Sequence, residues 1–96
     1  MKVYIVNFLK SRGLPVSDSP PALMCEWCFE RPMDNIHHII LKGMGGSKKL
    51  DYAENLIGLC LTCHKAAHGL VRPTLEASEL EDRVKLILET IKGDKL

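Results

Sequence analysis

Two Cys-x-x-Cys pairs, Cys25-Glu-Trp-Cys28 and Cys60-Leu-Thr-Cys63, stand 31 residues apart in a chain of 96. Cysteines two residues apart sit on one tight turn, so two such pairs can surround a single metal ion, whereas a disulfide scaffold scatters its cysteines. Two disulfides or four free thiols are the competing readings. Zinc is favoured because a chain this short has a large surface for its volume and gains from a staple. Zinc takes four thiolates as a closed tetrahedron, which leaves no position for a substrate. Cys25, Cys28, Cys60 and Cys63 are therefore expected to hold a structural zinc ion, and loss of any one of them is expected to unfold the chain. The same cysteine usage points to a reducing interior, the cytoplasm.

The length suits one small domain over residues 1–96, and 46% apolar with 26% charged residues is an ordinary globular composition. No apolar run reaches spanning length, so no membrane segment is expected. The opening Met1–Lys10 stretch is short, contains Asn7 and lacks a small-residue cleavage site, which argues against a secretory leader. A net charge of +1 decides nothing by itself. Its distribution does more: residues 76–96 carry −2 and the first 75 carry +3. Lys42, Lys48, Lys49, Lys65 and Arg72 surround the stretch that contains all four histidines, giving it a positive field suited to an anionic partner.

Residues 3–12 mix Val3, Tyr4, Val6, Phe8 and Leu9 with polar residues in a pattern that suits a short helix or strand, with helix preferred. Gly13 and Pro15 end it, and Val16 to Pro21 reads as an extended connector. Met33 to Leu41, rich in isoleucine, is expected to be a strand, followed by a basic glycine loop, Lys42 to Lys49. Asn55 to Leu59 is expected to pair with that strand as a long hairpin. A short helix then runs to Gly69 with Thr62 as its N-cap, placing His64 and His68 one turn apart. The last segment matches a capping box at Ser78-Glu-Leu-Glu81, with Leu80, Val84, Ile87, Leu88 and Ile91 at helical spacing and Gly93 as its end. That helix is read as packing, on the core or against a second subunit.

His37 and His38 fall on the first strand, on opposite faces if it is regular; one bulge would bring them to the same side. Four cysteines saturate the zinc, so the histidines form a second, open set, suited to Zn, Ni, Mn or partly hydrated Mg. Three imidazoles leave room for a water and a phosphate oxygen, as a hydrolytic metal requires. His64 and His68 as merely exposed helix residues would leave the double histidine unexplained.

These residues resemble the HNH endonucleases of the ββα-metal class. The likeness runs from Cys25 to about His68 and includes the cysteine knuckles, His37-His38-Ile39, the Gly45-Gly46 loop, Asn55-Leu56 and Cys60-x-x-Cys63-His64. It implies a small α+β fold: a ββα-metal, treble-clef-like core over 23–72 with a two-stranded antiparallel hairpin and a short metal-binding helix. An N-terminal helix and connector (1–22) and a C-terminal helix (73–96) flank it. By the same resemblance His38 is the general base, Asn55 ties the hairpin loop and helps orient the base, and His37 and His64 are ligands of a catalytic divalent metal. The His-His form looks more like the bacterial toxin nucleases, in which a further histidine one helical turn on, here His68, also ligates. Many relatives carry aspartate where this chain has His37, and imidazole shifts preference from Mg toward softer ions.

The chemistry agrees with these roles: metal charge at the scissile phosphate, and a histidine that is neutral near pH 7 to activate water. Lys42, Lys48, Lys49 and Lys65 are expected to hold flanking phosphates, giving salt-sensitive, largely sequence-independent binding. Trp27 can stack on a base, although a knuckle tryptophan more often packs inward. The expected function is metal-dependent cleavage of DNA, with an RNA nuclease or a structural-junction resolvase using the same site. The competing reading is a catalytically silent treble-clef module that binds nucleic acid or protein. Cutting two strands needs two sites, so a homodimer through the N- or C-terminal helix is expected.

Overall fold

The computed structural model of the protein describes residues 2–17, 22–40 and 50–94. Along them run helix α1 (Val3–Ser11), strand β1 (Asn35–His38), a 3-10 turn (Ala53–Asn55), strand β2 (Leu56–Leu59), helix α2 (Leu61–Ala67) and helix α3 (Ala77–Asp94). The strands pair antiparallel, with Asn35 opposite Leu59, Ile36 opposite Gly58, His37 opposite Ile57 and His38 opposite Leu56. This is the expected α+β arrangement of a hairpin, a short following helix and two flanking helices.

Strand alternation sorts the hairpin's side chains into two cores. On one face Ile39, Ile57 and Leu59 pack with Cys25, Cys60 and Cys63 and with Leu80 and Val84 of α3. On the other, Leu56 packs with Phe8 and Leu9 of α1, joined by half-buried Tyr4, Ile5, Met33 and Ile36. Each fully buried Leu, Val or Phe contributes about 1.5–3 kcal/mol. Gly58 belongs to the second face, where a Cβ would run into the Met33 side chain and the Phe8 ring.

A buried ion pair clamps α1 to this frame. Arg12, just past the helix, donates from Nε and Nη2 to the two carboxylate oxygens of Glu26, each at 2.8 Å, and from Nη2 to the carbonyl of Leu56. Glu26 Oε1 also accepts from the Gly58 amide at 2.9 Å. At the other side of the knuckle, Arg83 of α3 donates to the carbonyls of Glu26 and Trp27 and stacks over the Trp27 ring at 4.4 Å. Trp27 is thus a half-buried packing residue beneath an arginine.

Several boundaries differ from expectation. Both strands are shorter, because beyond His38 the ladder gives way to Asn55, whose side chain takes both backbone groups of Ile40. The cap of α2 is Cys60, not Thr62: its Sγ accepts from the Cys63 amide at 3.4 Å, so one sulfur serves both the helix start and the cysteine cluster. Helix α3 begins at Ala77, one residue ahead of the expected cap, and Glu79 reaches back to the Glu76 amide at 3.0 Å. It also runs through Gly93 to Asp94. Gly13 and Gly69 follow α1 and α2 with positive φ, as expected. Among the described residues no helix is long and apolar enough to cross a membrane.

Candidate functional site

The two cysteine knuckles meet where the start of α2 abuts the turn before β1. The four sulfurs all lie within 4.8 Å of one another, and Cys28 Sγ is 3.9 Å from Cys60 Sγ. A tetrahedral zinc with bonds of about 2.3 Å sets its sulfurs about 3.8 Å apart, so the donors fit such an ion. The first cysteine of each knuckle accepts from a backbone amide, Cys25 from Trp27 and Cys60 from Cys63, each at 3.4 Å, which orients its sulfur. Burial, followed by the neighbouring thiols Cys60, Cys25 and Cys28, pushes the Cys63 thiol far up. No disulfide joins these cysteines.

On the α2 side of β1, His37 meets His64 and His68. One ring nitrogen from each lies within 4.8 Å of the others, and the Nε2 atoms of His64 and His68 are 3.1 Å apart. Helix α2 places Cys63 toward the cysteine cluster and its neighbour His64 toward the histidines, while His68 is the C-cap one turn on. His37 is 4% exposed. Desolvation, and then the nearby His64, His68 and His38, lower its pKa to about 4. Burial and then His68 also lower that of His64, against an opposing pull from Asp34. Three imidazoles in a tight group are a donor set suited to Zn, Ni or Mn and able to leave positions open.

His38 points the other way. β1 is regular, with no bulge at the two histidines, so His38 faces α1, its ring edge-on to Tyr4 at 5.0 Å. Its Nε2 lies 2.9 Å from Asp51 Oδ1. The hairpin therefore separates one histidine, held by a carboxylate, from three that converge.

Residues 23–69 match the family model described as HNH endonuclease. The chain carries an HNH endonuclease-family domain. No curated protein and no solved structure matches it. The matched span of this HNH domain holds both knuckles, all four histidines and Asn55. Asn55, 2% exposed, sits at the end of the 3-10 turn. Its Oδ1 accepts from the Ile40 amide at 2.7 Å, and its Nδ2 donates to the carbonyls of Ile40 and Leu50. It thus joins the two ends of the segment between the strands.

Of the lysines expected near phosphates, Lys65 is exposed on α2, and Lys42, Lys48 and Lys49 lie outside the described residues, as does the Gly45-Gly46 loop. Sequence reasoning missed Asp51, Tyr4, Arg12, Glu26 and Arg83. Each acts across a long sequence separation. The one local signal was Asp51 itself, the first acid after a basic loop and close before Asn55.

Proposed function

We propose that this HNH domain is a metal-dependent endonuclease that hydrolyses DNA phosphodiester bonds by nicking. The observation that carries the reading is the division of labour along β1: three ring nitrogens converge beside His37, and the next residue presents a separate imidazole. His37, His64 and His68 would hold a divalent cation, which when bound supplies positive charge for the scissile phosphate and the leaving 3′ oxygen. His38 takes the proton from a water as its oxygen attacks phosphorus, a task suited to an imidazole near neutral pH. His37 and His38 are neighbours on β1, so a phosphate that engages both must reach the two faces of the hairpin at this point. Asn55 keeps that end of the strand in shape through Ile40.

Lys65, on the same helix as His64, offers charge to a flanking phosphate, and Lys42, Lys48 and Lys49 add positive charge in the sequence between the two strands. Contacts of this kind read the backbone, so cleavage has little sequence preference. The cysteines carry the second, structural zinc, in keeping with a reducing, cytoplasmic setting.

Incubating supercoiled plasmid with the protein and Mg2+, Mn2+ or Ni2+ tests the assignment. Nicked circles are expected, with Mn2+ or Ni2+ at least as effective as Mg2+, and His38→Ala should lower the rate by about 100- to 10,000-fold. Undiminished nicking by His38→Ala would remove the base from its role. DNA binding without nicking under any metal would instead leave a silent treble-clef module.

A further inference from the structure

Asp51 lies just before the 3-10 turn, and its side chain is 5% exposed, an unusual depth for a carboxylate. It faces His38, whose side chain is 14% exposed, across 2.9 Å. An ionised carboxylate only accepts hydrogen bonds, so opposite an ionised Asp51 it is Nε2 that carries the proton. The remaining nitrogen, Nδ1, has no hydrogen-bond partner among the described residues. In the neutral ring that nitrogen holds the lone pair.

The Asp51 backbone is held in turn from α1, where Asn7 Nδ2 donates to its carbonyl at 2.8 Å. One turn earlier on the same helix, Tyr4 sets its ring against His38. Helix α1 lies outside the span that matches the HNH family model. Here it closes over the histidine on the side away from the three converging imidazoles.

Resting on the nuclease reading for its consequence, we propose that Asp51 is a positioning residue that fixes His38 in the Nε2–H tautomer and directs Nδ1 to the attacking water, with α1 as its brace. The proton passes from water to Nδ1 while the oxygen forms its bond to phosphorus and the bond to the 3′ oxygen breaks. Nε2–H stays donated to Asp51 throughout, and the carboxylate offsets the charge that the imidazolium gains. Asp51 touches neither substrate nor the histidine cluster in this scheme.

Nitrogen-15 correlation spectra of the full zinc-loaded chain at mildly alkaline pH, where imidazoles are neutral, read the tautomer directly. His38 is identified by the loss of its signals in His38→Gln. The wild-type protein is expected to show Nε2 protonated and Nδ1 bare. A ring protonated at Nδ1, or one averaging between tautomers, would overturn the proposal whatever the activity. In Asp51→Asn, nicking should keep its KM within about twofold and lose about 100-fold in kcat, with the circular dichroism spectrum retained. An unchanged kcat in that folded variant would also overturn it. Wild-type protein that shows the Nε2–H tautomer yet nicks no DNA with any metal would end the nuclease reading and leave the hold of Asp51 on His38 intact.

Discussion

Asn55 spends its side chain entirely on backbone, accepting from one amide and donating to two carbonyls at 2% exposure. Truncation would leave the Ile40 amide and the half-buried Leu50 carbonyl without these partners, although the exposed Ile40 can turn to water. Asn55→Ala is therefore expected to cost about 1–3 kcal/mol, measured by urea denaturation, because a partner lost inside the protein leaves a desolvated polar group. Asn55→Asp keeps the acceptor but loses both donated bonds, so it should also destabilise. In both variants the end of β1 loosens, and any nicking should fall with it. The histidines differ in kind from Asn55. His64, half-buried within α2, and His68, exposed at its C-cap, are not members of either core, so removing them should alter chemistry and leave the fold standing.

At the scale of elements, the clamp of Arg12 on Glu26 joins α1, the first knuckle and β2 through a single bidentate pair. Breaking one partner of a buried pair leaves the other charge uncompensated, so Arg12→Ala should cost about 3–5 kcal/mol, read as a lower denaturation midpoint. A double variant with apolar residues of similar volume at both positions should recover much of that loss. None of this was visible from local patterns. The knuckles, the double histidine and the amphipathic α3 have spacings of three, one, and three or four positions, so periodicity and chain geometry expose them. Arg12 and Glu26 are 14 residues apart, and Arg83 and Trp27 are 56 apart; their pairing exists only once the hairpin has folded. The strand ends and caps were misjudged for a related reason. Asn55 has the composition of a strand start, and Thr62 that of a cap, but tertiary partners took the first into a turn and Cys60 took the place of the second.

For the molecule as a whole, two donor sets share α2, one soft and closed, the other open and imidazole-lined. Cys63 and His64 are adjacent in sequence yet belong to different sets. The cysteine cluster ties the β1–β2 hairpin, α2 and α3 into one core, in which Cys25, Cys60 and Cys63 are themselves buried members. The histidine cluster sits outside that core, with His68 exposed. Structural metal in a small chain is folding free energy, because the unfolded chain has no preformed site. Removing it is expected to melt the whole, and removing a histidine ligand is not. Cys28→Ser, or a strong chelator acting on the wild type, should therefore abolish the cooperative thermal transition. His64→Ala should keep that transition within a few degrees and retain one tightly bound zinc per chain, while losing binding of a second divalent ion followed by calorimetry. A His64→Ala protein that unfolds like Cys28→Ser would mean that the two sets are one folding unit, and a Cys28→Ser protein that melts normally would remove zinc from the fold.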